Sequence, residues 1–224
     1  GQLQNPTGKM DLALNKLWQS CKETALTAML PERRRATGSS LYANSIYLMA
    51  NSVAMAALGF AFWVLAARLY LAEAVGLGSA ILSAAGLLSF FATLGLGTGL
   101  IRYLPETSSK TTALINSCYT LSGIAALVAA LIFIAGIPLW SPALSFLRSD
   151  FRFGVTFIIF VISGTLFSLL GDTYLALRRA EYSFIQGSIM GLIKLTLVVA
   201  LAGLFGIFGI LASWTIGTVA LVGL

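Results

Sequence analysis

The chain contains no histidine and only two cysteines in 224 residues. Without imidazole it offers no histidine general base and no histidine-ligated metal site. Cys21 and Cys118 show no metal-ligand spacing, so two ordinary reduced thiols are the simpler interpretation. We therefore expect no catalytic residues, no metal and no cofactor in this chain.

Charge is also scarce, since charged residues make up 10% of the chain and hydrophobic residues 58%. A soluble domain usually carries about 25% charged residues. The net charge of +6 resides in the N-terminal tail and in short connections between apolar runs. This placement indicates membrane orientation and contact with anionic lipid headgroups, and we expect no nucleic-acid partner.

Six apolar runs have roughly the length, about 20 residues, that is needed to cross the hydrocarbon of a bilayer. They cover residues of about 44–67, 75–101, 113–140, 153–177, 182–204 and 205–224. The last two are joined by a glycine-punctuated stretch, where we expect a tight turn because a single span of this length exceeds a bilayer. The predicted fold is an all-α, polytopic transmembrane helix bundle. Because the sixth run is still apolar at Leu224, we expect a piece of a longer protein.

Lys and Arg beside the runs predict the orientation, because they concentrate on the cytoplasmic side. One side carries Lys9, Lys16, Lys22, Arg33, Arg34, Arg35, Arg102, Lys110, Arg178 and Arg179. The other side carries Arg68, Arg148 and Arg152. The N-terminus is therefore predicted in the cytoplasm, and the late first run fits an uncleaved anchor better than a cleaved signal peptide.

Residues 1–40 are predicted to form a cytosolic tail, with an amphipathic helix at about 10–30 followed by a basic linker. Two interpretations remain open. The helix lies in the plane of the inner leaflet, helped by Arg33, Arg34 and Arg35 binding anionic lipids, or it docks on the protein's own cytosolic face. Residues 41–224 form the predicted membrane part.

Lys194 is the first candidate site residue, because a charge at membrane depth is costly and usually faces a bundle interior or a cavity. It lies roughly 16 Å from the start of its predicted span, too far to reach the interface by snorkelling. We expect it to face a cavity and to bind a pyrophosphate or an acidic sugar. The alternative is a structural ion pair with Asp172.

Asp172 and Arg102 are the other ionisable candidates. Asp172 either titrates in an ion- or proton-coupled cycle or neutralises Arg178 or Arg179 near the interface. Arg102, at the cytosolic end of the second run, either anchors the span at the interface or gates the inner mouth of a cavity.

Asn44 and Asn51 fall near one face of the first run, where they line a polar lumen or hydrogen-bond to another helix. Gly187 and Gly191 form a pair of small residues four positions apart, which predicts close packing of neighbouring helix backbones. The glycines of residues 94–100 lie within an apolar run, so they too indicate close packing rather than a nucleotide loop.

The run from Ala66 to Pro105, ARLYLAEAVGLGSAILSAAGLLSFFATLGLGTGLIRYLP, resembles the second-helix region of bacterial polysaccharide flippases. These belong to the multidrug, oligosaccharidyl-lipid and polysaccharide exporter superfamily. The later LGDTYLALRRAEY with Lys194 downstream also fits, and the resemblance covers about residues 40–224. It implies one lobe of a two-lobe transporter whose central cavity opens alternately to either side, with the second lobe of the same protein as partner.

The resemblance also implies a substrate, an undecaprenyl-pyrophosphate-linked oligosaccharide moved between the leaflets of the inner membrane. Arg102 and Lys194 match positions where such proteins often carry a cation. The first span has Asn44 and Asn51 but no arginine, which favours an O-antigen or exopolysaccharide substrate over the peptidoglycan precursor. The alternatives are a multidrug or cation antiporter, against which Lys194 argues, and a non-transporting scaffold of a polysaccharide assembly complex. A membrane polymerase or ligase would need longer outer loops.

Overall fold

The computed structural model describes residues 38–104, 111–201 and 206–223. Within them the chain forms eight α-helices and a short 3-10 turn at Pro142–Leu144, and no strand. The helices are α1 Gly38–Leu69, α2 Ala72–Ala92, α3 Leu96–Tyr103, α4 Thr111–Trp140, α5 Phe146–Ser149, α6 Phe151–Ala176, α7 Ala180–Leu201 and α8 Ile207–Gly223. The predicted all-α bundle is thus confirmed.

Five of the helices are long and apolar enough to cross a membrane, namely Ser45–Leu69 within α1, α2, Thr112–Leu139 within α4, α6 and α7. The chain is therefore a multi-pass membrane protein. The last predicted run forms α8, an apolar helix of 17 residues. Because a helix rises about 1.5 Å per residue, α8 spans a shorter distance than any of the five longer apolar helices.

The second predicted run is not one helix but two. The chain leaves the α-helical conformation between α2 and α3, where Leu94 has a φ of 51° and Gly95 a φ of 70°. Gly95 adopts this left-handed conformation without a Cβ clash, whereas Leu94 does so at a cost. Helix α2 is long enough to span the bilayer alone, and α3 is a separate short helix that follows it.

Helix α6 is the centre of the described bundle, and it contacts α2, α3, α4, α5, α7 and α8. The largest cluster of buried apolar side chains joins α2, α4, α6 and α8 and includes Ile81, Ile137, Phe157, Val161 and Leu211. A buried hydrogen bond of 2.7 Å between the hydroxyls of Ser163 and Thr218 links α6 to α8. In a bilayer such packing and polar contacts hold helices together, because lipid tails are as apolar as the side chains.

The membrane part is one compact unit, Ser40–Leu224. The other unit, Gly1–Ser39, contains the predicted amphipathic helix and Arg33, Arg34 and Arg35, and apart from residues 38–39 it lies outside the described residues. Most of the predicted turn between the fifth and sixth runs, residues 202–205, also lies outside them, and α8 begins directly after Gly206.

Candidate functional site

Lys194 on α7 is buried in the bundle although its side chain ends in an ammonium, and it is 2% exposed. Its Nζ lies 4.3 Å from the ring centroid of Trp214 on α8 and 6.0 Å from that of Phe62 on α1. Both distances lie within the roughly 6 Å over which an aromatic face attracts a cation. The two rings meet edge to face, with centroids 5.7 Å apart. We call Lys194, Phe62 and Trp214 the Lys194 cage.

No carboxylate neutralises the ammonium within the described residues. The sequence left open an ion pair with Asp172, and this pair is not formed in that part of the chain. Trp214 has an indole Nε1 that is buried and has no hydrogen-bond partner among the described groups. The cage therefore holds a cation whose described neighbours are aromatic rings, and an indole N–H donor without a described partner. Both groups attract an anion.

The cage lies where α1 and α8 both pack against α7. Gly217 on α8 faces Met190 on α7, since a Cβ at Gly217 would lie 2.7 Å from the Met190 Sδ. Where α1 meets α7, a Cβ at Gly187 would lie 2.6 Å from Asn51 Oδ1, and one at Gly191 would lie 3.1 Å from the Leu58 Cβ. The close packing predicted at Gly187 and Gly191 is confirmed. It allows α1 to approach α7 closely enough for Phe62 to cover Lys194.

The α1–α7 contacts run in the same direction along both helices. Going towards the C-termini, Asn51 meets Gly187, Leu58 meets Gly191 and Phe62 meets Lys194. This parallel arrangement is what a first and a fifth span require, because both cross the bilayer in the same direction.

A hydrogen bond closes the end of this interface. The Tyr70 hydroxyl, just after α1, donates to the Val198 carbonyl of α7 at 2.9 Å. Burial raises the pKa of the Tyr70 phenol above its ordinary value, so the hydroxyl remains a donor at neutral pH. Tyr70 also packs over Gly209 of α8, where a Cβ would lie 2.8 Å from its hydroxyl oxygen.

Asp172 on α6 lies away from the cage, against the first turn of α3. Its carboxylate contacts Gly97, where any Cβ would overlap it. A negative charge beside the N-terminal turn of a helix is favourable because the orphan N–H groups there carry partial positive charge. Among the described residues Asp172 forms no ion pair with Arg178 or Arg179, and Arg179 instead donates to the Tyr182 hydroxyl at 3.2 Å.

Arg102 is exposed in the last turn of α3, and its guanidinium lies 5.6 Å from the ring centroid of Tyr103. The break before α3 thus places Arg102 on a separate short helix rather than at the end of a spanning one. Asn51 Oδ1 is buried without a hydrogen-bond partner in the described part of the chain. Asn44 lies in α1, and its side chain is outside the described set. The structure therefore brings Asn51 and Lys194 onto the same α1–α7 interface and leaves Asp172 and Arg102 with α3.

Phe62 and Trp214 were not identified from the sequence. One signal for Trp214 was present in the sequence, namely its position. Tryptophan in membrane helices concentrates at the interfaces, but Trp214 lies in the middle of α8. Phe62 carried no such signal in an apolar run with several aromatic residues.

Comparison with known proteins agrees with the membrane fold and the resemblance. Neither the curated proteins nor the solved structures gave a significant match. Residues 41–222 match a family described as polysaccharide biosynthesis protein, and this range includes α2 to α7 completely. The resemblance to polysaccharide flippases found in the sequence is thereby confirmed at the level of the family. The chain belongs to the polysaccharide biosynthesis protein family.

Proposed function

We propose that this chain is one lobe of a flippase that moves an undecaprenyl-pyrophosphate-linked oligosaccharide across the inner membrane by alternating access. Family membership and the membrane-spanning helices support a polysaccharide transporter in general. The observation that carries the finer proposal is Lys194, a buried cation in a span with no carboxylate partner among the described residues.

The physical need is a substitute for water around the headgroup. A pyrophosphate cannot enter hydrocarbon unaided, because desolvating its charge costs far more than its binding to apolar groups returns. Lys194 supplies a compact positive charge, and the unpartnered Nε1 of Trp214 supplies a hydrogen-bond donor on the adjacent ring. The polyprenyl tail remains in the bilayer while the headgroup passes through the lobe.

The rest of the proposal concerns partners and orientation. We infer a second lobe of the same protein facing this one, with a cytoplasmic N-terminus that contacts anionic inner-leaflet lipids through Arg33, Arg34 and Arg35. Arg102 and Asp172 border the inner mouth of the pathway, and Asn44 and Asn51 line it. These residues direct the headgroup towards Lys194.

A leaflet-translocation assay of the full-length protein in proteoliposomes tests the proposal. The substrate is a fluorescent lipid-linked oligosaccharide, and a membrane-impermeant reagent reports the outer leaflet. We expect Lys194→Ala to slow translocation by about ten- to a hundredfold, which corresponds to the free energy of one hydrogen bond to a charged group. Lys194→Arg should retain more activity because it keeps the charge. Arg102→Ala is expected to have a smaller effect.

Arg148→Ala, an exposed change on the predicted outer side, is the matched control. Normal translocation by both Lys194→Ala and Arg102→Ala, at normal membrane levels, would overturn the site assignment. Extrusion of a cationic dye with no lipid translocation would instead favour the antiporter. A parent protein that moves neither substrate would favour the scaffold.

A further inference from the structure

Helix α1 covers the Lys194 cage while remaining the most peripheral of the five spans. In one 18-residue stretch of its membrane segment 6% of the residues are buried, compared with 33% in α7 and 39% in α6. Met49, Val53 and Phe60 on its outward face are at least 70% exposed. On the inward face Phe62 is fully buried against Lys194. Helix α1 is thus held by one narrow face.

The contacts along this face are close but contain few polar bonds. Between Asn51 and Phe62 the described side chains make no hydrogen bond to α7, and the helices touch through side chains over Gly187 and Gly191. Asn51 Oδ1 is buried there without a partner. An unpartnered buried carbonyl opposes closure of the interface, since it regains hydrogen bonds when water enters.

The Tyr70 end of α1 is secured more firmly. The Tyr70 hydroxyl bonds to Val198 and packs over Gly209, and the link from α1 to α2 contains just Tyr70 and Leu71. Ala66, one turn before this end, is fully buried. One end of α1 is therefore attached to both α7 and α8, whereas the face that begins at Asn51 is held by van der Waals contacts.

We propose that α1 is a lid that parts from α7 about its Tyr70 end and uncovers Lys194 for the anionic headgroup, while Trp214 holds the ammonium when the lid is closed. The proposal rests on the proposed function for the identity of the anion. Lys194 is 2% exposed and Phe62 covers one side of its ammonium, so parting α1 from α7 opens a route for a phosphate. Trp214 lies on α8 and stays beside Lys194, because α7 and α8 pack directly on each other.

The first test measures access to position 194 rather than transport. In the full-length protein with Cys21→Ser and Cys118→Ser, Lys194→Cys is alkylated in membranes by a small hydrophilic thiol reagent. Leu58→Ala weakens the α1–α7 contact, and Gly191→Val wedges it apart because any Cβ there meets Leu58. We expect each change to accelerate alkylation by about tenfold, because one overpacked or emptied contact typically raises the population of the open state by about that factor.

The double variant Leu58→Ala with Gly191→Val refills the space and should return alkylation to the slow parent rate. General loosening of the fold would make the double variant faster than either single one, which would overturn the lid. The matched control is Gly154→Val, which wedges α6 from α5 at the Leu147 carbonyl and should leave alkylation unchanged. Equal acceleration by Gly154→Val would also contradict the proposal.

The second test locks the lid. A Cβ at position 191 lies 3.1 Å from the Leu58 Cβ, close to the 3.5–4.5 Å or so of a disulfide, so Leu58→Cys with Gly191→Cys should cross-link readily. We expect oxidation to stop translocation and reduction to restore it. The control pair, Ser163→Cys with Thr218→Cys, joins α6 to α8 and should remain active when oxidised.

The two tests separate the lid from the proposed function. If alkylation responds as expected but Lys194→Ala translocates normally, the lid stands and the assignment of Lys194 to the substrate falls. If alkylation ignores Leu58→Ala and Gly191→Val, or the oxidised Leu58–Gly191 cross-link translocates at the parent rate, α1 is not a lid, whatever the substrate.

Discussion

Replacing Lys194 with methionine should make the protein more stable and less active. Methionine keeps most of the side chain's length and removes the charge. A lysine in the middle of a membrane helix costs about 2.5–3.5 kcal/mol. The ring of Trp214, at 4.3 Å from Nζ, returns about 2 kcal/mol as a desolvated cation–π contact. The difference predicts a gain of about 1 kcal/mol in the free energy of unfolding for Lys194→Met.

Thermal unfolding of the purified full-length protein in detergent measures this gain. In soluble proteins of 150–250 residues, about 1 kcal/mol corresponds to a rise in Tm of about 2–4 °C, and we expect a smaller rise in the longer full-length protein. The translocation assay on the same preparation should show the loss given above for Lys194→Ala. The matched control is Leu192→Met, at an exposed position two residues before Lys194 on α7, where we expect neither change.

The reasoning is refuted if Lys194→Met lowers Tm, because the ammonium would then contribute more to the fold than its desolvation costs. It is also refuted if Lys194→Met gains stability and translocates at the parent rate. A stabilising substitution that abolishes activity is the pattern expected of a functional residue whose burial opposes folding.

Three further predictions concern the cage, the contact between α3 and α6, and the Tyr70 end of α1. Trp214→Leu should destabilise the parent protein by about 0.5–2 kcal/mol more than it destabilises the protein that already carries Lys194→Met. A double-mutant cycle in thermal unfolding measures this difference, and additive effects would show that the ring does not stabilise the cation. Gly97→Ala should lower the free energy of unfolding by about 1 kcal/mol, because the added Cβ overlaps the Asp172 carboxylate, and Asp172→Ala in the same chain should remove that loss. A loss that persists in the double variant would show that the Cβ does not clash with Asp172. Tyr70→Phe should cost about 1 kcal/mol and speed access to position 194, and unchanged access would mean that this end is not the attachment of α1.

Several elements of this fold follow from local sequence alone. A bilayer imposes a length of about 20 apolar residues on each span, so the positions of α1, α4, α6 and α7 could be predicted from hydropathy. The close approach of α1 to α7 at Gly187 and Gly191 was also predictable from local sequence, because two glycines four residues apart mark one face of a single helix. The unusual position of Lys194 was likewise visible, since a charge deep within an apolar run needs no neighbour to be noticed.

The break between α2 and α3 shows where local pattern is insufficient. Residues 94–100 are apolar and glycine-rich, so they fit a continuous helix as well as an interrupted one. Packing on α6 accompanies the interruption, because Asp172 occupies the space beside Gly97 that a side chain would otherwise need. The position of Arg102 on a separate helix follows from that interruption.

The sequence by itself determined that this is a helical membrane protein with a lysine too deep to reach water easily, because both conclusions depend on the cost of placing polar groups in hydrocarbon. Only the tertiary structure decided what surrounds that lysine. Asp172 was the natural partner on charge, yet the ammonium rests on Trp214 and is covered by Phe62. These residues lie on three different helices, and which faces of those helices meet is decided by packing across the whole bundle rather than by any local pattern.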